Sequence, residues 1–159
     1  MNEDAPDRLA TQLGPDAAPT PVDPTDLLSL SLVDLAAVAA GGALGALLRF
    51  LISHWAQSHW PKHAHLATLT VNALGSLILG AIAGWTLSRP MPDWAHRGIA
   101  IGALGAFTTY STFALEAVKL HTSGRSAAAL AYVLVTTVTC VVLAALGYWL
   151  ASKLAGGSA

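Results

Sequence analysis

Four long apolar segments constrain the fold of this sequence more than any other feature. Crossing the hydrocarbon core of a bilayer takes about 20 mostly apolar residues, within a range of about 17–25. Each of the four segments has such a length, and the connections between them are short. The sequence therefore predicts an all-α membrane protein with four transmembrane helices, successive helices being antiparallel. The predicted helices cover residues 33–52, 66–87, 98–120 and 127–151.

The composition agrees with lipid as the solvent and argues against several classes of protein. Charged residues make up 11% of the 159 residues, whereas a soluble domain carries about 25%. The net charge of −1 gives no indication of a nucleic-acid partner. With a single cysteine, Cys140, the chain has neither an internal disulfide nor a set of zinc-binding thiols. No nucleophile–base arrangement or phosphate-binding glycine loop is visible, so nothing indicates an enzyme.

The N-terminal part has a different character from the rest. Residues 1–30 contain five of the eight prolines, and a single base, Arg8, stands against six acids, which are Glu3, Asp4, Asp7, Asp16, Asp23 and Asp26. Such a segment cannot bury enough apolar surface to fold by itself. We predict a disordered acidic tail over residues 1–32, a transmembrane domain over residues 33–153, and a short C-terminal tail over residues 154–159.

The basic residues of the loops are almost evenly divided between the two sides of the predicted bundle. One side carries Arg89, Arg97 and Lys153; the other carries Lys62, Lys119 and Arg125, with Arg49 at its edge. Orientation normally follows an excess of Lys and Arg on the cytoplasmic side. Either the acidic tail or another factor decides the orientation, or copies insert both ways and pair as an antiparallel homodimer. We favour the second interpretation, because so small a four-helix chain rarely encloses a pore alone.

Small residues are concentrated in the first two predicted helices. They allow close approach of helix backbones in lipid, within one chain or between two chains. Packing within one chain is sufficient to explain most of them. The residues are Gly41, Gly42, Gly45, Ala46, Gly75, Gly80 and Gly84.

The third apolar segment is interrupted by polar residues at mid-membrane depth. Glycines and β-branched threonines weaken a helix, and residues 108–112 read Thr-Thr-Tyr-Ser-Thr after Gly102 and Gly105. Backbone carbonyls freed by an interrupted helix are tolerated in a membrane only inside protein or along a cavity, where they can bind ions. Hydroxyl groups bonding back to their own helix explain one or two of these residues, but not all. We predict that the third helix is broken here.

Other polar or aromatic residues fall within the predicted spans, and each has a structural and a functional interpretation. Asn72 makes an interhelical hydrogen bond or donates to a polar path. Tyr110 and Phe113 share a helix face and pack in the core, or turn their positive ring edges toward an anion. A stripe of Tyr132, Thr136 and Thr139 packs against a neighbouring helix or lines a pore.

Two charged residues complete the set of candidates. Arg49 lies near the predicted end of the first helix, where it can extend to the interface or concentrate anions at a pore mouth. Glu116 lies one turn after the polar run and either pairs with Lys119 or contacts the pathway.

Three segments in order resemble the Fluc (CrcB) family of fluoride channels. They are residues 41–50 (GGALGALLRF), residues 68–76 (TLTVNALGS) and residues 102–113 (GALGAFTTYSTF). Glu116 lies where the family has its glutamate. The likeness extends over essentially all of residues 34–152.

The resemblance implies a dual-topology homodimer with two antiparallel fluoride pores. It implies a structural, untransported sodium ion at the dimer interface, bound by the backbone carbonyls of Gly105 and Thr108. Pore positions carry over by motif to the following residues: Asn72, Tyr110, Ser111, Thr112, Phe113, Glu116, Arg49 and, on the fourth helix, Tyr132 and Thr136. Tyr110 departs from the family, which has phenylalanine there, and its added hydroxyl can donate to or crowd an anion.

The expected function is passive, selective export of cytoplasmic fluoride across an inner membrane. Two other functions remain open. A proton-coupled small multidrug-type exporter also has four helices, but it needs a membrane carboxylate, and the first helix offers only Asp34 at its edge. A non-transporting structural subunit leaves the polar run of the third helix unexplained.

Overall fold

The computed structural model describes residues 31–63 and 65–156, and every regular element in these ranges is helical. Residues 1–30 of the predicted tail lie outside the described residues. Four helical segments are long and apolar enough to cross a membrane: Leu32–His59, His65–Thr86, Asp93–Thr122 and Ser126–Ala155. The prediction of an all-α, four-span membrane protein is confirmed.

The first two spans are uninterrupted helices, α1 (Leu32–His59) and α2 (His65–Thr86). Helix α1 begins at a capping box in which Ser31 and Asp34 exchange hydrogen bonds between side chain and backbone. It continues past the predicted end at residue 52, because helix-compatible residues follow until Pro61, which opens the 3₁₀ turn Pro61–His63.

The third span is built from several pieces. A short helix α3 (Asp93–His96) follows Pro92 and leads into a π-helical segment, Arg97–Leu104. The one-turn helix α4 (Gly105–Phe107) comes next, and α5 (Tyr110–Thr122) completes the span. The span therefore begins before the predicted residue 98.

The fourth span is a single helix, α6 (Ser126–Ala155), reached through a turn in which Gly124 has a φ of 78°. A positive φ is accessible to glycine at little cost. The helix includes residues 154 and 155, which were predicted to belong to the C-terminal tail, because no proline or internal glycine pair stops it before Gly156.

Two pairs of spans pack closely, the first with the third and the second with the fourth. Helix α1 packs against the π-helical segment, and a Cβ on Gly45 would overlap the backbone carbonyl of Ala103. Helix α2 packs along α6, and a Cβ on Gly80 would overlap the carbonyl of Ala144. These glycines replace side-chain volume with backbone contact inside one chain, as the simpler interpretation of the small residues predicts.

Helix α5 packs against α6 and α2, and this contact forms a small apolar core. Its buried members are Phe113, Leu120, Ala129 and Tyr132. An ion pair ties α1 to the start of the π-helical segment, since Arg97 Nη1 lies 2.6 Å from Asp34 Oδ2.

Candidate functional site

The centre of the candidate site is the pair of residues between α4 and α5. Thr108 (φ −80°, ψ 156°) and Thr109 (φ −151°, ψ 115°) both have extended backbones. Thr108 closes the end of α4, because its N–H and its hydroxyl both donate to Leu104 O, at 3.0 and 2.9 Å. Thr109 caps α5, with its Oγ1 accepting from Thr112 N at 3.3 Å. Thr108 therefore keeps the last helical hydrogen bond of α4, and a side chain replaces the first one of α5.

The side chain of Asn72 on α2 holds the extended pair from the side. Asn72 Nδ2 donates to Thr109 O at 3.0 Å, and Thr109 N donates to Asn72 Oδ1 at 2.7 Å. One amide thus satisfies both backbone groups of a residue that is only 8% exposed. Of the two interpretations of Asn72, the interhelical hydrogen bond is present. Asn72 also lines the cavity described below, and its amide has a second N–H.

These contacts remove the helical donors of two carbonyls. In an unbroken helix, Gly105 O would accept from Thr109 N–H, and Thr108 O would accept from the N–H of Thr112. Here Thr109 N–H is directed to Asn72 Oδ1, and Thr112 N–H is directed to Thr109 Oγ1. A Cβ on Gly105 would meet only Ala100 O, at 3.9 Å, so the backbone there has open space. Carbonyls that lack their helical donors beside open space suit coordination of a cation.

A cavity of about 360 Å³ opens beside the extended pair and brings together six of the predicted residues. We call it the Phe113 cavity, and these residues are Asn72, Gly105, Thr108, Tyr110, Phe113 and Thr136. Phe113 is 8% exposed, whereas Tyr110 is 80% exposed, with ring centroids 5.6 Å apart. One wall of the cavity is therefore an aromatic pair whose outer ring has no cover within the described part of the chain.

Thr136 on α6 is a polar group with an unused hydrogen-bonding capacity. It is 4% exposed, and its Oγ1 has no hydrogen-bond partner among residues 31–63 and 65–156. Buried hydroxyls normally have a partner. Thr136 lines the Phe113 cavity, while its hydroxyl oxygen is buried beside that cavity.

Glu116 bonds hydroxyl groups from two other spans. Thr68 Oγ1 donates to Glu116 Oε1 at 3.0 Å, and Tyr132 OH donates to Glu116 Oε2 at 2.7 Å. The alternative of an ion pair with Lys119 is wrong for the described residues, because these two hydroxyls occupy the carboxylate and the single ion pair there joins Arg97 to Asp34. The ring of Tyr132 also packs against that of Phe113 in a tilted arrangement, at 5.3 Å between ring centroids, so the carboxylate is connected to the aromatic pair through Tyr132.

A second cavity, of about 330 Å³, lies on the other side of Thr109 and is lined by Arg49, Thr112 and Glu116. We call it the Arg49 cavity. Helix α1 continues for about 15 Å beyond Arg49, so this residue lies within the helix and not at its end. Arg49 lines this cavity, and its buried Nε has no hydrogen-bond partner in the described ranges.

The two cavities divide the predicted residues between them, with a few exceptions. Thr109 lines both cavities, so the Asn72–Thr109 contact lies between them. Ser111 is exposed and lines neither, and Tyr132 lines neither and lies in the core. The sequence reasoning did not select Thr68 and Thr109 as site residues. Thr68 lies one helical turn before Asn72, and this spacing was the available signal.

A family model and several individual proteins similar to this chain agree with one another. The model of the family described as "CrcB-like protein, Camphor Resistance (CrcB)" matches residues 36–148. A protein of Stutzerimonas stutzeri is 48% identical over 98 residues, which cover 61% of this chain and 79% of that protein. One of Pseudomonas putida is 42% identical over 105 residues, covering 65% and 85% respectively. One of Azotobacter vinelandii is 47% identical over 97 residues, covering 60% and 78%. Each of these relatives is named fluoride-specific ion channel FluC.

Proposed function

This chain belongs to the CrcB family, and on that premise we propose that it is a fluoride-selective channel. In our proposal the channel lies in the inner membrane and lets cytoplasmic fluoride leave passively, down its electrochemical gradient. The observation that carries the proposal is the third span, where an extended pair at membrane depth is fixed by Asn72 and flanked by two cavities. Irregular backbone at this depth is typical of transport pathways.

The groups around the Phe113 cavity suit a small, strongly hydrated anion. Such an ion enters only where donors replace its water. The cavity is lined by Asn72, Thr136 and Phe113. In our proposal the second N–H of the Asn72 amide, the partnerless hydroxyl of Thr136 and the ring edge of Phe113 replace the water of the ion. None of these carries a full charge, so none would hold the anion too tightly to leave.

We propose that Arg49 and Glu116 act at the approach to this path. An arginine facing a cavity raises the local concentration of anions, and Arg49 Nε has free hydrogen-bonding capacity in the described ranges. Glu116 has both oxygens engaged by hydroxyls, so those hydroxyls are oriented by the carboxylate. Thr112, which also lines the Arg49 cavity, and Ser111 remain proposed pathway residues.

The proposal includes a second copy of the chain, inserted in the opposite direction. An aromatic ring that is 80% exposed beside an open cavity supports it, because Tyr110 would complete a wall only against a partner. The almost even charge of the two sides supports insertion in both directions. The pore would then be completed between two antiparallel subunits.

A structural sodium ion at the centre of this dimer is the remaining part of the proposal. The carbonyls of Gly105 and Thr108 fit such an ion, because the N–H groups that would bond them in a helix are directed elsewhere. When bound, the ion would supply positive charge that fixes the two extended pairs relative to each other. The residues of this chain do the positioning: Asn72 and Thr109 hold the carbonyls in place.

Fluoride efflux from proteoliposomes tests the proposal directly. The full chain is reconstituted with internal potassium fluoride, valinomycin clamps the potential, and an ion-selective electrode records the released fluoride. We expect rapid efflux of fluoride with chloride silent. Absence of fluoride efflux, or an equal chloride signal, would refute a fluoride-selective channel, and efflux that requires a proton gradient would indicate the exporter alternative.

The sodium site has its own test, which follows the first and uses the same fluoride efflux. Sodium on both sides is replaced by the bulky cation N-methyl-D-glucamine before fluoride efflux is recorded. We expect the unmodified chain to show lower fluoride efflux without sodium, and we expect added sodium to restore it. Identical efflux in both solutions would contradict carbonyl coordination at Gly105 and Thr108, and the channel proposal would still stand.

A further inference from the structure

An apolar groove lies on the outer face of the pair formed by α2 and α6, away from both cavities of the candidate site. It has a volume of about 440 Å³. We call it the Trp85 groove. Its walls include Ile78, Ala81, Ile82 and Trp85 from α2, Ala151 from α6, and Met91 from the connection after α2.

The shape of the groove suits a hydrocarbon chain. Every residue that lines it is apolar, so it offers no hydrogen bond to a polar occupant. Ala151 is 7% exposed and forms the floor, while Trp85 is 38% exposed and forms a wall that an occupant can reach. Small alanine side chains between larger ones give the groove its depth.

A cation lies at one end of the groove. The guanidinium of Arg89 stacks over the Trp85 ring, with Cζ 4.8 Å from the ring centroid. Its backbone N–H donates to Trp85 O at 3.2 Å, which fixes the start of this side chain one turn beyond the tryptophan. Arg89 is exposed and has no acidic partner within the described ranges.

Charge complementarity decides between the possible occupants. The acidic residues of this chain are concentrated in residues 1–30, which contain no long apolar run and so bring no hydrocarbon to the groove. A zwitterionic lipid brings an ammonium that compensates its phosphate. An anionic phospholipid brings an acyl chain and a net negative headgroup in the right order, and tryptophan with arginine is typical of the membrane interface. We propose that the Trp85 groove binds one acyl chain of an anionic phospholipid whose phosphate is held by Arg89.

Quenching of tryptophan fluorescence by brominated lipids tests the proposal. The full chain in detergent micelles is titrated with phosphatidylglycerol or phosphatidylcholine that carries brominated acyl chains. The chain has five tryptophans, so the contribution of Trp85 is taken as the difference between the unmodified chain and Trp85→Phe. We expect apparent affinity at Trp85 to be about fivefold higher for the anionic lipid, which corresponds to about 1 kcal/mol for one cation near an anionic surface.

Two exposed arginines give the variant and its matched control. Arg89→Gln should abolish the fivefold preference while quenching by both lipids persists, because the apolar groove is intact. Arg125→Gln, at the start of α6, should leave the preference unchanged. Equal affinity of the unmodified chain for both lipids, an unchanged preference in Arg89→Gln, or no quenching of Trp85 by either lipid would overturn the proposal. The last result would indicate that a second copy covers the groove.

Discussion

Replacing Asn72 by leucine removes a single side chain that satisfies two backbone groups. Leucine has the same number and branching of side-chain heavy atoms as asparagine and is a good helix former, so the change removes the hydrogen-bonding groups and keeps the outline of the side chain. It leaves the N–H and the C=O of Thr109 without the partners that lie at 2.7 and 3.0 Å. Thr109 is 8% exposed, so water cannot easily replace the amide.

The expected cost follows from these two groups. A buried backbone group without its partner costs about 1–3 kcal/mol, whereas interhelical hydrogen bonds in membranes average about 0.6 kcal/mol because the unfolded state also finds partners. Two groups near the lower limit of the first range give about 2 kcal/mol. We therefore expect Asn72→Leu to lower the free energy of unfolding by about 2 kcal/mol.

Unfolding by a denaturing detergent, followed by circular dichroism, measures this free energy. The same preparations are reconstituted for fluoride efflux, where Asn72→Leu is expected to be nearly silent because the extended pair loses its position. Thr70→Val is the matched control, since Thr70 is exposed on the same helix and its hydroxyl bonds only its own helix, at Leu66 O. If Asn72→Leu matches Thr70→Val in both measurements, the argument that Asn72 holds the extended pair is wrong.

Three further predictions concern helix packing, an ion pair and the exposed ring. Gly80→Ala should lower the free energy of unfolding by about 1–3 kcal/mol, because the added methyl overlaps a carbonyl of the facing helix. Gly42→Ala is the control: its methyl meets nothing closer than 3.9 Å, so it should be neutral or slightly stabilising in the same assay. Asp34→Asn should lower the free energy of unfolding by about 1 kcal/mol, because it weakens the ion pair with Arg97 at 2.6 Å. A double-mutant cycle with Arg97→Gln should show coupling between the two residues, and additive losses would contradict the ion pair. Tyr110→Phe should change the free energy of unfolding by less than about 0.5 kcal/mol, because the ring is 80% exposed. An altered fluoride efflux rate would indicate that the hydroxyl contacts the proposed pore. A clearly destabilised chain would contradict the exposure of this ring.

The four spans were predictable because their signal is length and apolar composition, which need no knowledge of the tertiary structure. Their ends were less accessible. Helix α1 continues to His59 through polar residues that leave the hydrocarbon but keep helical geometry, and only Pro61 stops it. Apolarity reports the thickness of the lipid, whereas proline and capping residues report the end of a helix, and the two need not coincide.

The direction in which the polar residues face was harder to predict than their existence. A helix that is apolar on all sides gives no periodic signal for its buried face, so the sequence could not show that Arg49 turns inward. Contacts between distant residues were equally hidden. Thr68 and Glu116 are 48 positions apart, and no local pattern pairs them.

The extended pair in the third span depends on the asparagine of the second span. An extended pair at this depth exposes an N–H and a C=O that lipid cannot satisfy, and Thr109 lies 37 positions from the one side chain that satisfies both. This contact needs a donor and an acceptor in one plane on a short side chain. The primary amide of asparagine provides both, whereas that of glutamine lies one methylene further from the backbone. The same contact turns Thr109 N–H away from Gly105 O, so the residue that stabilises the interruption also creates the carbonyl that the proposed cation needs. A substitution at position 72 therefore affects both the stability of the extended pair and the availability of Gly105 O to the proposed cation.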